Sequence, residues 1–232
     1  MTVPVGEPLS GEIAAALDRA EAAVAAGRPL AGTGFWKAVA VARRRPAFAE
    51  RFADRIATID RASFEANVKP RLPVPVGNLI LGAGAIAGIA ALAKAPRLGR
   101  FSKPFAFLAG FGALEVSTHS LTHWVVGRAA GIRFTHYFLG GPPPPRPGLK
   151  IDYASYLRVP PERRAAMHGS GAIVTKLIPF VLVPVATTGD QPRWLVRLLF
   201  LVGVGQLATD LFVSTKSSDW KKVLRELKAA RG

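Results

Sequence analysis

Pro104-Phe-Ala-Phe-Leu-Ala-Gly-Phe-Gly-Ala-Leu-Glu-Val-Ser-Thr-His-Ser-Leu-Thr-His-Trp-Val-Val-Gly127 is a run of 24 residues with one formally charged side chain, Glu115. A helix rising about 1.5 Å per residue covers the roughly 30 Å hydrocarbon core of a bilayer in about 20 residues, so the stretch reads as a membrane-spanning helix. A carboxylate and two imidazoles are costly in lipid. Glu115, His119 and His123 must therefore face protein, a partner or an ion. Four residues turn a helix by about 400°, so the three climb one side, each about 40° round from the last. Histidines at i and i+4 can offer two imidazole nitrogens to one metal ion. The remaining segments read most simply as packing around that face.

Composition agrees with a membrane setting. Half of the 232 residues are hydrophobic and mean hydropathy is positive, yet the formal net charge is +16. Residues 1–72 carry +3 and the remaining 160 carry +13. A nucleic-acid partner would need those charges on one soluble face. Here they flank apolar segments, which suits membrane topology and argues against nucleic acid. Cysteine is absent, which excludes disulfides, a thiolate nucleophile and Cys-type zinc sites. Residues 1–30 mix charges with alanine, without the basic start and apolar run of a signal peptide.

Outward from the central stretch, three more apolar segments appear. Leu72 to Ala93 gives 22 uncharged residues, with Gly84 and Gly88 spaced to let a neighbouring helix come close. Ala165 to Gly189 is interrupted by Lys176 and by Pro179 and Pro184, where a kink is expected. Trp194 to Thr215 carries Arg197 at its start, able to snorkel, with Gln206 and Asp210 deeper in. Before the spans, residues 1–71 hold three helical patterns. The second has Phe35 and Trp36 at one end and Arg43, Arg44 and Arg45 at the other, suited either to an anionic membrane surface or to packing in a three-helix cap. After Gly127, residues 131–139 alternate and favour a strand or hairpin, and residues 140–148 form a proline-rich extended spacer. A basic amphipathic helix follows from Ser217. The expected fold is an all-α integral membrane protein. It has about four transmembrane helices in a core spanning 72–215, a short β-hairpin-like insertion in the loop 128–164, and a basic helix at 216–232.

Charge bias orients this arrangement. The segment 128–164 holds seven Lys/Arg against two Asp/Glu, and the tail after Thr215 holds six against two. The connection 190–193 has only Asp190 and Arg193. Both termini and the middle loop are therefore expected in the cytoplasm, in the plasma membrane of a prokaryote, although Lys94, Arg97, Arg100 and Lys103 weigh the other way. In that orientation His119, His123, Lys176, Asp210 and Asp219 fall at similar depth. They form either a structural polar cluster with Gln206 or a site lining a water-filled cavity. Two histidines and an aspartate would leave zinc a fourth position. Lys176 is expected to pair with Asp210 or Asp219. Asp152, His136 and His168 read as surface or interfacial residues.

The order of these features resembles the site-2 protease family of intramembrane zinc metalloproteases. Those proteins carry H-E-x-x-H on a spanning helix, then a glycine turn and β-hairpin, then a glycine-containing helix start, and last an Asp-bearing motif. The corresponding stretches here are His119-Ser-Leu-Thr-His123, Gly131-Ile-Arg-Phe, Tyr137-Phe-Leu-Gly-Gly141, Gly169-Ser-Gly-Ala-Ile-Val-Thr-Lys176 and Ser217-Ser-Asp-Trp220, covering roughly residues 104 to 220. The resemblance implies zinc held by His119, His123 and Asp219; Glu115, a turn before His119 on the same side of the helix, suits a fourth ligand or an ion-pair partner. Two departures stand out. The family's Asn-x-x-Pro…Leu-Asp-Gly pattern is missing, and the catalytic glutamate is Ser120. A hydroxyl of high pKa cannot serve as general base at neutral pH, a role worth about 10²–10⁴-fold.

The expectation is thus a site-2-protease-like zinc protein with hydrolysis lost or weak, a pseudoenzyme that binds lipid and the transmembrane segments of other proteins. Two alternatives stay open: a working intramembrane protease with an unusual base, and a small proton or cation transporter. A transport path needs ionisable groups through the whole membrane depth. Here the outer half is nearly bare of them, with Arg197 at its edge.

Overall fold

The computed structural model describes residues 7–140, 146–212 and 218–231. Residues 141–145 of the proline-rich stretch and Ser217 of the last motif lie outside the described residues. The chain is mostly helical, with one small sheet.

Three helices come first: α1 (Glu7–Ala25), α2 (Phe35–Arg44) and α3 (Pro46–Asn67). Each turns an apolar stripe inward, and Leu17, Phe35, Ala38, Phe52 and Ile56 meet in one core. Pro46 sits at the first turn of α3, where its missing N–H costs nothing. Arg55 of α3 reaches across to Asp18 and Glu21 of α1, at 2.5 and 2.7 Å. The same core takes in Ile132, Tyr156, Leu157 and Met167 from much later in the chain. Residues 7–67 thus pack as a cap on the later elements.

Strand β1 (Arg71–Pro73) leads directly into α4 (Val74–Lys94), and after a short 3₁₀ turn comes α5 (Ser102–Ala129). Strands β2 (Phe134–Gly140) and β3 (Arg146–Ile151) follow, then the short helix α6 (Tyr153–Arg158). The sheet has the order β1-β2-β3, antiparallel throughout, with Leu72 opposite Tyr137 and Phe138 opposite Gly148. The expected hairpin is therefore two-thirds of a three-stranded sheet. Its third strand is taken from the residues just before the first apolar helix, so that helix begins at Val74 rather than Leu72. Asp152 caps α6 by accepting from the Ser155 N–H.

Helices α7 (Pro161–Thr188), α8 (Arg193–Phe212) and α9 (Asp219–Ala230) complete the chain. Helix α7 continues through Pro179 and Pro184. It packs against α5, α8 and α9, while α5 also packs against α4. Leu92, Phe107, Leu182, Ala186, Leu195 and Leu199 fill the centre of this bundle. The small-residue spacing on α4 does what it implied. A Cβ on Gly88 would lie 2.9 Å from the Gly110 carbonyl oxygen, so the two backbones approach as closely as glycine allows.

Two segments, Val74–Arg97 and Pro161–Thr188, are long and apolar enough to cross a membrane. The bundle's outer surface is apolar as well: Leu79, Ile86, Phe105, Val116, Val181 and Leu201 are all more than half exposed. Large exposed apolar side chains in this number are the kind of surface that meets lipid or another protein.

Candidate metal centre

His119 and His123 stand one turn apart on α5, and Asp219 is the first residue of α9. Ser218 precedes it as N-cap, accepting from the Lys221 N–H at 3.4 Å. Three atoms converge. His119 Nε2 and His123 Nε2 are 3.3 Å apart, His123 Nε2 and Asp219 Oδ2 are 3.3 Å apart, and His119 Nε2 and Asp219 Oδ2 are 3.4 Å apart. Among the described residues these three form the group that could hold a metal ion.

The surroundings orient each ligand atom. His123 Nδ1 lies 2.7 Å from the Met167 carbonyl of α7. A carbonyl only accepts, so Nδ1 donates this hydrogen bond and Nε2 faces the other two atoms. Asp219 Oδ1 accepts from Lys222 Nζ at 2.9 Å, which leaves Oδ2 facing the imidazoles. Burial acts to raise the Asp219 carboxyl, but the two imidazoles and the Lys222 ammonium outweigh it and hold the pKa below the ordinary carboxylate range. A proton on an imidazole nitrogen satisfies the contact with the carboxylate oxygen, and a cation shared by the three converging atoms satisfies it equally well.

Gly171 of α7 completes the setting. A Cβ there would overlap His123 Nε2 and lie 2.8 Å from the His119 carbonyl oxygen. Only a residue without a side chain lets α7 pass beside the two histidines. Gly171 belongs to the stretch 169–176 whose order carried the family resemblance, but the sequence alone gave no reason to single it out.

The other polar residues form two separate links on α8. Gln206 Nε2 donates to Glu115 Oε2 at 3.0 Å, joining α8 to α5. Lys176 Nζ lies 2.6 Å from Asp210 Oδ2, joining α8 to α7. Of the two partners expected for Lys176, the structure gives Asp210. Ser120 lines a mainly apolar cavity of about 310 Å³ between α4, α5 and the sheet, together with Leu72, Val116, Tyr137 and Leu139.

His168 and Asp152 differ from expectation, since both are buried. His168 Nε2 meets the Tyr156 hydroxyl at 2.9 Å, and Asp152 takes Arg61 and Arg133 as well as capping α6. A polar residue flanked by charges reads as surface in sequence, but here the cap of α1–α3 covers this region. No family model matches the chain, and no curated protein or solved structure is significantly similar to it.

Proposed function

We propose that this chain is a polytopic membrane zinc protein of site-2-protease type. In it His119, His123 and Asp219 hold the ion and proteolysis is lost or weak, so that it binds membrane segments of other proteins rather than cutting them. The observation that carries the zinc reading is the size of the ligand triangle. A tetrahedral ion with bonds of about 2.0–2.1 Å keeps its ligand atoms about 3.3–3.4 Å apart, and the three separations here are 3.3, 3.3 and 3.4 Å. Two imidazoles and one carboxylate are a zinc-type donor set that leaves one position free.

When bound, zinc would supply Lewis-acid polarisation of a carbonyl at that free position. The chain's own residues do the rest. Met167 fixes the tautomer and ring plane of His123, and Lys222 fixes the rotation of Asp219. His119 is the more open of the two imidazoles, with 39% of its side chain exposed against 12% for His123, so a group arriving at the site meets His119 first. Ser120 takes the sequence position of the family's glutamate, can only accept or donate a hydrogen bond, and lines a cavity that none of His119, His123 and Asp219 lines. This favours holding over hydrolysis.

Helices α4, α5, α7 and α8 are read as four spans with both termini cytoplasmic. The exposed apolar residues around the bundle and the basic loading of 128–164 support that reading. The deciding experiment is metal analysis of protein purified without chelators. About one zinc per chain is expected. Metal-free protein that also fails to take up added zinc would overturn the reading.

A further inference from the structure

Helix α9 brings Asp219 to the histidines, and its apolar hold on α7 is partial, since Trp220 and Val223 are only part-buried. Of its residues only Glu226 and Ala229 are buried. Leu224 and Leu227 face outward, 51% and 36% exposed. Glu226 is fully buried and carries no ordinary surface role. Its carboxylate takes four partners from four elements. Arg164 Nε of α7 lies 2.9 Å from Oε2. Around Oε1 lie the Tyr156 hydroxyl of α6 at 3.0 Å, Arg43 Nε of α2 at 3.4 Å, and Arg225 Nε of α9 itself at 3.4 Å. Arg164 is as buried as the carboxylate, and its Nη2 donates to the Arg43 carbonyl oxygen at 2.8 Å.

Glu226 and Asp219 are seven residues apart. Seven residues turn a helix by about 700°, so the two side chains share one face and are separated by about 10 Å along the axis. A carboxylate locked at one end of that face sets both the rotation and the height of the other. Segment 164–168 of α7 serves both ends, with Arg164 on Glu226, the Met167 carbonyl on His123, and His168 on Tyr156.

We propose that Glu226 is a positioning residue for the metal centre: its ion cluster with Arg43, Arg164 and Tyr156 docks α9 so that Asp219 Oδ2 reaches the two histidines. Through Arg43 the N-terminal helices become part of the support of a site to which they contribute no ligand. The proposal rests on the metal-binding reading above, and the test separates the two.

The test is cobalt(II) titration of the purified full-length chain, read by affinity and by the visible absorption of tetrahedral cobalt. Glu226→Gln keeps every ligand but removes the charge that the three arginines hold. Its cobalt affinity should fall by about 10- to 100-fold, the range seen when supports of metal ligands are removed, and the tetrahedral band should weaken. Arg43→Met removes one partner only. It should act in the same direction to a smaller extent, and it carries the test if Glu226→Gln does not fold. Ile56→Ala, in the core of the N-terminal helices, should lower the melting temperature but leave affinity and band unchanged. Wild-type affinity and band in folded Glu226→Gln, or in Arg43→Met where Glu226→Gln does not fold, would overturn the proposal. If the unchanged protein takes no cobalt, the metal reading falls and the docking is read by hydrogen exchange. Amides of residues 219–230 should then exchange at least tenfold faster in the variant, with those of α1 unaltered, and equal exchange in α9 overturns the docking as well.

Discussion

His123 Nε2 and Asp219 Oδ2 lie 3.3 Å apart, although 96 residues separate them in the chain. The helix between them makes the meeting possible. Helix α7 lies against both α5 and α9, offers a carbonyl to one ligand, and has no side chain at Gly171 where a methyl would block the site. The centre is therefore a property of three helices, of which only α5 and α9 supply ligands.

The ligand set is tested by zinc content. His119→Ala and Asp219→Ala should each lose most of the bound zinc, because a site reduced to two ligands no longer fixes a tetrahedral ion. His136→Ala, on β2, should retain it. Equal zinc in all three variants would place the metal elsewhere or show it to be adventitious.

Gly171 gives a sharper geometric test. An alanine in a helix interior ordinarily gains about 0.5–1 kcal/mol over glycine. Here the added methyl would overlap His123 Nε2, so Gly171→Ala should lose metal binding while helix content stays the same. Gly169→Ala is the control, since its Cβ would meet the nearest atom, a Val223 methyl, at an ordinary 3.4 Å. Metal uptake by Gly171→Ala equal to that of Gly169→Ala would show that the histidines adopt another rotamer when loaded.

What the sequence made legible was what depends on neighbours within a turn or two. The pairing of His119 with His123 needs only helical spacing, and the apolar runs mark α4, α5, α7 and α8 within a few residues. The cost of a lone ammonium at depth was enough to foresee a carboxylate for Lys176. Strand β1 was not legible. Arg71-Leu-Pro73 is too short to alternate, and its partner β2 lies about 65 residues on. Glu226 was missed for a related reason. In a basic amphipathic helix a glutamate reads as a solvated charge, and only Arg43, Arg164 and Tyr156, 62 to 183 residues away, make it a buried one.

The tyrosines offer a pH readout of the folded core. Burial pushes the Tyr137 phenol up to about 12, and raises Tyr153 and Tyr156 further. Raised phenols favour folding below the ordinary pKa of about 10, and that stability is lost as pH rises through the folded values. Absorbance at the phenolate band should therefore stay flat through pH 10–11 while the chain is folded, then rise together with loss of helix. Tyrosine ionisation near pH 10 with helix content intact would contradict the packing. Tyr137→Phe should cost about 1 kcal/mol through the hydrogen bond to Asn78 Oδ1, 2.7 Å long.

Orientation is open to cysteine labelling, since the chain has no cysteine of its own. Thr188 is exposed at the end of α7, and Lys228 is exposed on α9. With both termini cytoplasmic, an impermeant thiol reagent applied to intact cells should label Thr188→Cys and spare Lys228→Cys until the membrane is opened. The reverse pattern would invert the topology. Labelling of both would put residues 188 and 228 on one side, which four spans do not allow.

Ser120 separates two forms of the proposed function, a protease that has lost its base and a protein that only binds. It follows the first ligand on α5 and lines a cavity of about 310 Å³, bounded on one side by Leu72, Tyr137 and Leu139 of the sheet. A glutamate side chain has room there. If the family's arrangement is otherwise kept, Ser120→Glu restores the proton acceptor that the chain lacks, a contribution of about 10²–10⁴-fold. Cleavage of an apolar peptide in detergent should then appear, require added zinc, and vanish in the double variant Ser120→Glu, His123→Ala. The gain should be partial, because no neighbouring group has been selected to hold a carboxylate at position 120. Cleavage by the unchanged protein that survives Glu115→Gln would show that no carboxylate on α5 is needed and that the base lies elsewhere. An inert Ser120→Glu variant with zinc still bound would mean that the cavity does not present a scissile bond to the ion, and the holding of a membrane segment would then stand as the function.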